Sequence, residues 1–314
     1  MSLGLAALPL ALAAEPALQW RWDAGAEVNA TPHGIADLSV RRGDWSANLF
    51  TDTLDLRWDA EGDGGRRWLA ARLEVGAAGL MLSPWTDGGP DPDRALNASY
   101  LGMEGGRVWY GPEGLYAGFQ WLARAYVFGA MADTTVEVPD PRGLLTGDAL
   151  LGWWTPDVQA WARVGVDVTA EAAAPHAHLE IKARAPWRLA PRLALRAGFA
   201  ERQDFLTRTR LGGMNPYVVP VAGAAWAEWW VEDYVAARLG PHLQGEHLSL
   251  ALSADLAAFD GQQALGLEAR GGLRGERWFG ELAYGYAPFI ERQPGVGRAA
   301  VYATVGMDWG PKRE

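Results

Sequence analysis

Apolar and polar residues alternate with a period of two along most of this chain. Between residues 18 and 29 every second residue is Leu, Trp, Ala or Val, and the residues between them are Gln, Arg, Asp, Gly, Glu and Asn. Side chains of a β-strand point alternately to its two faces, so such a segment has one apolar and one polar face. The pattern recurs at 54–59, 69–75, 115–127, 158–168, 179–185, 193–197 and 248–256. No stretch of comparable length has a helical period, so the chain is predicted to be all-β.

The alternating segments and the breaks between them predict sixteen strands. They lie approximately at 18–28, 35–42, 45–58, 67–78, 98–104, 107–110, 115–128, 147–154, 158–169, 177–186, 192–201, 226–239, 247–259, 264–273, 277–287 and 299–309. An even number is what a closed bacterial barrel requires. The segments 98–104 and 107–110 are the least regular, and fourteen strands is the alternative count.

Strand length and the positions of the aromatic residues distinguish a membrane barrel from a soluble β-protein. Strands that cross a bilayer at a tilt need about nine to eleven residues, whereas soluble strands average five or six. Several segments reach the longer value, and tryptophans gather near segment ends, where an interfacial girdle places them. These tryptophans are Trp20, Trp22, Trp153, Trp154, Trp229, Trp230 and Trp309. The predicted fold is a closed antiparallel transmembrane β-barrel that forms one domain over residues 15–314.

The connections between strands are expected to alternate between short periplasmic turns and longer outer loops. With both chain ends in the periplasm, the connections 43–44, 111–114, 155–157 and 275–276 are periplasmic and short. The connections 129–146 and 202–225 are on the outer side and long. One connection, 79–97, is long and falls on the periplasmic side, which indicates an error of one strand before that point.

Composition and the N-terminus indicate export to the bacterial outer membrane. Residues 1–14 are apolar and end in Ala11-Leu12-Ala13, the small-x-small pattern that signal peptidase accepts, so this segment is predicted to be a cleaved signal peptide. Cysteine is absent, which excludes disulfides and thiolate metal sites. The net charge of −10 argues against a nucleic-acid partner. Outer-membrane lipids and lipopolysaccharide are the expected surroundings.

The segment from Thr207 to Tyr217 contains the most distinctive combination of residues in the chain. Paired glycines and a proline permit tight turns, and arginines in an apolar neighbourhood require acceptors. The candidate functional residues of this segment are Arg208, Arg210, Gly212, Gly213 and Tyr217. Spacing alone favours a turn-rich surface loop, but five predicted strands follow the segment.

These residues resemble the BamA-like superfamily of barrels, which insert or move polypeptides across outer membranes. The run 210–213 is similar to the Arg-Gly-aromatic motif of the family's sixth outer loop, which folds back into the barrel and precedes the last five strands. Phe259-Asp260-Gly261 is similar to a contracted Phe-x-Asp-x-Gly segment, and residues 283–288 to the penultimate strand. The resemblance covers about 205–309 and the barrel only, without POTRA domains. It implies a role in outer-membrane biogenesis or in protein or lipid translocation, with an unfolded client or accessory envelope proteins as partners.

An arginine that enters a partly dry lumen must find a carboxylate, because an unpaired buried guanidinium is costly. If the loop folds inward, Asp260, or failing that Glu232, is the expected partner of Arg210.

Two other functions remain open from the sequence. A passive porin would use lumen charges to set ion selectivity, and the candidates are Arg21, Asp23, Glu27, Arg72, Glu74 and Arg124.

A lipid-modifying barrel would need a nucleophile with a base, but no serine stands in a Gly-x-Ser-x-Gly turn. His176 and His178 share one strand face and are expected to be solvated, and Asp87, Asp91 and Asp93 lack the spacing of a calcium loop. The chain is therefore expected to have no catalytic centre, metal or cofactor.

Overall fold

Sixteen antiparallel strands form the wall of a closed barrel in the computed structural model. The structure describes residues 18–29, 33–51, 53–62, 64–75, 80–82, 85–86, 89–91, 93, 95–130, 135, 137–185, 189–214, 218–225 and 227–309. The strands are β1 (Gln19–Val28), β2 (His33–Arg42), β3 (Trp45–Phe50), β4 (Thr53–Gly62), β5 (Gly65–Glu74), β6 (Leu96–Tyr110), β7 (Leu115–Ala130), β8 (Arg142–Trp154), β9 (Val158–Val168), β10 (Ala173–Arg184), β11 (Leu189–Ala200), β12 (Tyr234–Gln244), β13 (Leu248–Phe259), β14 (Gln262–Arg274), β15 (Trp278–Tyr286) and β16 (Ala299–Trp309). The predicted fold class and strand count are confirmed. Within the described residues no helix is long and apolar enough to span a membrane.

Each wall strand pairs with its neighbours in the chain, and the first strand pairs with the last. The closing ladder between β1 and β16 runs from Trp20 opposite Trp309 to Val28 opposite Val301. The short strand Leu80–Leu82 extends the wall beside β6. Trp85–Thr86 and Gly89–Pro90 form a separate two-stranded sheet. Because closure leaves no free edge in the wall, every strand has a partner on each side.

Two errors in the predicted strand list compensate each other. The segment 45–58 is not one strand but the hairpin of β3 and β4, with Thr51 in its turn at φ 51°. The apolar phase changes there, from Leu49 in β3 to Leu54 in β4, which an unbroken strand would not allow. The segments 98–104 and 107–110, in contrast, form the single strand β6.

The corrected strand order places all the long connections at one end of the barrel. The connections 75–95, 131–141, 201–233 and 287–298 are at this end, which we call the loop end. The connections 43–44, 63–64, 111–114, 155–157, 185–188, 245–247 and 275–277 are at the other end, the turn end. The long 79–97 connection, which violated the alternation, thus belongs with the other long loops.

The outer face of the wall is apolar, as the alternation predicted. Leu69, Leu73 and Leu248 point outward and are 43%, 44% and 45% exposed. Tryptophans on this face cluster at the turn end, where an interfacial girdle is expected. They are Trp20, Trp22, Trp45, Trp58, Trp109, Trp153, Trp278 and Trp309. Trp229 and Trp230 do not belong to this girdle, since the predicted strand 226–239 begins only at Tyr234.

The position of the membrane can be tested with two leucines on the same face of β13. Leu252 is 60% exposed near the middle of the strand, and Leu248 is its first residue at the turn end. Leu252→Arg is expected to lower the unfolding free energy by about 2–4 kcal/mol, and Leu248→Arg by about 0–1 kcal/mol, because the cost of a lipid-facing arginine falls toward the interface. Reversible urea unfolding in lipid vesicles measures the unfolding free energy of both variants. Equal losses of unfolding free energy at the two positions would contradict the placement of Leu252 near the membrane centre and Leu248 near the interface.

Candidate functional site

The connection 201–233, here called the inward loop, folds into the lumen between β11 and β12. Leu211, Met214 and Val221 of this loop are 0%, 2% and 0% exposed. They pack on one side against small lumen-facing residues of the last five strands, among them Ala236 and Ala257. The main hydrophobic core of the protein therefore lies inside the barrel, between this loop and its wall.

The backbone of the inward loop is held in a compact hairpin. Thr209–Leu211 pairs with Trp229–Val231 as two short antiparallel strands. Gly212 and Gly213 follow with φ of 109° and 93°, a region that disfavours any residue with a side chain. Val219 then returns beside the first short strand, where its N–H donates to the Arg210 carbonyl at 2.9 Å. The two glycines singled out in the sequence thus allow the chain to reverse inside the lumen.

Two wall glycines allow the loop backbone to lie directly on the wall. A Cβ added to Gly266 in β14 would lie 2.4 Å from the Ala222 nitrogen, and one added to Gly285 in β15 would lie 2.6 Å from the Gly223 nitrogen. Both contacts are far shorter than real carbon contacts, and the atoms involved are backbone atoms that cannot rotate away. A larger residue at either position is therefore incompatible with the docked loop.

Polar groups of the wall bind the tip of the inward loop from three strands. The Met214 N–H donates to Glu27 of β1 at 3.3 Å, and the Ala222 N–H donates to Asp255 of β13 at 3.0 Å. Arg270 of β14 donates to the Met214 carbonyl at 2.9 Å. Loop backbone groups that would otherwise be buried without partners are thus satisfied by the wall.

Asp255 and Arg270 belong to a row of alternating charges that crosses the lumen face of β12 to β15. Arg238 binds Asp255 with two hydrogen bonds, of 2.5 and 2.7 Å, and also contacts Glu268 at 3.2 Å. Arg270 binds Glu268 at 2.8 Å and Glu281 at 2.5 Å. Bidentate arginine–carboxylate pairs fix geometry strongly, so this row forms a rigid seat for the loop.

The opposite wall holds the first residues of the inward loop. Asp204 accepts a salt bridge from Arg142 of β8 at 3.0 Å. The Arg142 guanidinium also contacts the rings of Phe128 and Phe205, at 5.2 and 4.7 Å from their centroids. The loop therefore contacts both sides of the barrel and crosses the lumen.

A buried histidine supports this second anchor. His176 of β10 has Nε2 at 2.7 Å from Asp148 of β8 and Nδ1 at 3.4 Å from Asp167 of β9. Gln203 of the inward loop donates to the same Asp167 at 3.2 Å. His176 is only 5% exposed, so the expectation of a solvated histidine at this position is wrong. Within the described residues no group of three or more histidine or acidic side chains is placed to hold a metal ion.

A fully buried ion pair closes the loop end above the inward loop. Arg292 of the 287–298 connection binds both carboxylate oxygens of Glu228, with one contact of 2.7 Å. The two side chains are 4% and 2% exposed. The Ala225 N–H donates to the same carboxylate at 2.8 Å. Burial raises the pKa of Glu228, and the Arg292 guanidinium opposes this shift.

The expected partners of Arg210 are not the observed ones. Glu232 pairs with Arg208 at 2.9 Å, and Asp260 lies in the tight turn between β13 and β14, with φ of 45°. An Asp-Gly pair is the preferred sequence of a two-residue hairpin turn, which accounts for Asp260-Gly261. Arg210 instead lies over the Trp230 ring at 4.9 Å, and burial lowers the pKa of its guanidinium. The carboxylate of β13 that holds the loop is Asp255. Tyr217 lies outside the described residues.

The six predicted lumen charges all face the interior, but they are engaged with neighbours. Arg21 binds Asp23 at 3.2 Å, and Arg72 binds Asp55 at 2.5 Å. Arg124 donates to the Tyr126 hydroxyl at 3.1 Å and lies over the Tyr100 ring. Glu27 binds the inward loop, and Glu74 hydrogen-bonds Tyr100.

Below the inward loop the lumen is open toward the turn end. A cavity of about 600 Å³ is bounded on the loop side by Met214, Val218 and Pro220. A vestibule of about 1050 Å³ follows at the turn end, and Arg21 lines both spaces. The arrangement is a vestibule that ends at a plug.

Comparison with known proteins identifies the fold. No family model matches the chain, and no curated protein is similar to it in sequence. Among solved structures it is similar to CdiB from Acinetobacter baumannii, with a TM-score of 0.67 and 9% identity over 93% of this chain. It is also similar to BamA from Haemophilus ducreyi lacking POTRA domains 1–3, with a TM-score of 0.64 and 9% identity over 94% of this chain. The matches cover 60% of the CdiB chain and 70% of the BamA chain. The chain thus has a bacterial outer-membrane barrel fold, which supports an outer-membrane location.

Proposed function

We propose that the protein is a BamA-like translocation barrel of the bacterial outer membrane, that its cargo is an unfolded polypeptide, and that the inward loop is its plug. The observation that carries this proposal is the position of that loop. It connects β11 to β12, is followed by five strands, and is bound to the lumen wall on both sides. The resemblance of residues 205–309 implied a loop that folds back into the barrel and precedes five strands.

The vestibule at the turn end suits a polypeptide that enters from the periplasm. Its lining combines arginines with acidic and aromatic residues, so it presents hydrogen-bond donors, acceptors and apolar surface together. An unfolded chain exposes all three kinds of group. A sixteen-stranded barrel is wide enough for an aqueous channel, so a passive porin would leave this space continuous. The inward loop interrupts it.

Site-specific photo-crosslinking in growing cells tests the proposal. A benzophenone amino acid replaces Val218, which lines the cavity below the plug, and Leu252 on the lipid face serves as the control position. We expect polypeptide adducts at Val218 that disappear within minutes when protein synthesis is blocked, and none of this kind at Leu252. Absence of polypeptide adducts at Val218, together with a large steady conductance of the purified protein in planar bilayers, would overturn the proposal in favour of a porin.

A further inference from the structure

The lipid face of the barrel carries very few charges, and they are not scattered. Among the described strand residues on this face, the charged side chains are Arg42, Arg67 and Arg107. All three are arginines, and all three are near the turn end, with no carboxylate on the same face. If charged residues were placed at random on the lipid face, acidic residues and residues near the loop end would also be present.

Arg67 and Arg107 stand directly opposite each other on neighbouring strands. They are register partners in the ladder between β5 and β6, and both are exposed. Like charges in this arrangement repel each other and destabilise the pairing. In the described part of the chain neither guanidinium takes part in a hydrogen bond or ion pair. We call these two residues the arginine pair.

Each member of the arginine pair is held against a tryptophan. The Arg67 guanidinium lies 5.3 Å from the centre of a Trp58 ring, and that of Arg107 lies 5.0 Å from Trp109. Stacking of this kind holds a guanidinium flat on the ring and leaves its edge donors available to a ligand. Phe119, the register partner of Arg107 on β7, is 46% exposed beside Trp109, at 5.9 Å between ring centres.

The arginine pair lies at the depth of lipid headgroups. Arg67 is two residues from the β5 terminus at Gly65, and Arg107 is three residues from the β6 terminus at Tyr110. At about 3.3 Å per residue, both are within about 10 Å of the turn end. Toward the membrane centre the same face continues with Leu69 and Met103, which are 43% and 48% exposed. The surface is thus cationic at the interface and apolar above it.

We propose that the arginine pair binds the phosphate of an anionic phospholipid in the leaflet at the turn end, with the acyl chains against Leu69 and Met103. A phosphate between the two guanidiniums accepts hydrogen bonds from both planar donors and removes their repulsion. A zwitterionic lipid is a poorer ligand, because its ammonium group would be brought close to two cations. The site does not depend on the translocation function, since it lies on the opposite face of the wall from the plug.

Native mass spectrometry with added palmitoyl-oleoyl phosphatidylglycerol tests the site on the purified full-length protein. The double substitution Arg67→Gln with Arg107→Gln is expected to weaken binding of this lipid at the tightest site about thirtyfold, because each arginine near an anionic lipid contributes about 1 kcal/mol. The control is Arg184→Gln with Arg277→Gln. These two arginines are also at the turn end, but Arg184 is on the lumen side of β10, where it binds the Pro156 carbonyl, and Arg277 is in the 275–277 turn, so they do not form a pair on the lipid face. Retarded mobility of the heated sample on detergent gels verifies that each variant is folded.

The controls define the outcomes. We expect the Arg184 and Arg277 variant to bind phosphatidylglycerol as the unchanged protein does, phosphatidylcholine to bind weakly to all variants, and inorganic phosphate not to displace the lipid. Equal phosphatidylglycerol binding by the folded Arg67 and Arg107 variant would overturn the proposal. Equal affinity for phosphatidylcholine, or displacement of the lipid by millimolar phosphate, would also overturn it, because the site would then not select an anionic lipid.

Discussion

Gly266→Val is expected to convert the barrel from a plugged into an open channel. A side chain at this position would collide with the backbone of Ala222 and Val221, which cannot move aside while the inward loop is docked. Overpacking of this kind costs about 1–3 kcal/mol, and the loop can avoid the cost by leaving its seat. The lumen of a sixteen-stranded barrel without a plug is wide enough to conduct ions as a porin does. Single-channel recording in planar bilayers should show small or rare openings for the unchanged protein and large, long openings for the variant.

Gly271→Val is the matched control for this experiment. Gly271 is on the same strand, β14, but on the lipid face, and an added Cβ would meet only a Leu250 methyl at an ordinary 3.6 Å. The Gly271→Val variant is expected to have the same conductance as the unchanged protein. A large conductance in the unchanged protein, or equal conductance in both variants, would show that the inward loop does not close the lumen.

Arg292→Met is expected to release the loop end above the plug. It leaves the Glu228 carboxylate buried without its bidentate partner, and removal of one member of a buried ion pair costs about 3–5 kcal/mol. The Ala225 N–H bonds this carboxylate, so local opening should expose the amides of this part of the inward loop. If opening is local, hydrogen exchange there should accelerate roughly a hundredfold or more.

The control for Arg292 is Arg298→Met. Arg298 is in the same 287–298 connection and is exposed, where it donates to the Pro288 carbonyl at 2.9 Å. Exchange in the inward loop should not change in this variant. The double substitution Glu228→Leu with Arg292→Met should cost less than the sum of the two single substitutions, because the two groups interact directly. Additive effects, or equal exchange in the Arg292 and Arg298 variants, would contradict the role of this pair.

The strands were predictable from the sequence where apolar and polar residues alternate without a break. Along β1 and β7 the period of two is unbroken, so both their extent and the face of each residue followed from the sequence. The hairpin of β3 and β4 was missed because its turn, at 51–52, has no glycine or proline. The change of apolar phase between Leu49 and Leu54 is the signal that reveals it.

The plug was predictable as an inward loop, but its contacts were not. The predicted partner of Arg210 was wrong: Asp260 is in the turn after β13, and Arg210 lies over Trp230. The carboxylate that binds the loop backbone is Asp255 on β13, and sequence spacing could not show which of the two faces the loop. Glu228 and Arg292 were missed, since nothing local links residues sixty-four positions apart. One signal was present in the sequence. The lumen positions of the last five strands are unusually small, for example Ala264, Gly266 and Ala283, which indicates that something must fill the space.

The sequence by itself determined that the chain forms a transmembrane barrel and which face of each strand meets lipid, because strand geometry makes the side chain direction depend only on the count along the strand. It also marked Gly212 and Gly213 as a place where the chain turns, since positive φ is a local property. Only the tertiary structure decided what the inward loop touches and which charges are paired. Closure of the barrel brings β1 beside β16 and places Glu27, Asp255 and Arg142 around one loop. Such distances depend on the whole ring of strands rather than on any segment of it.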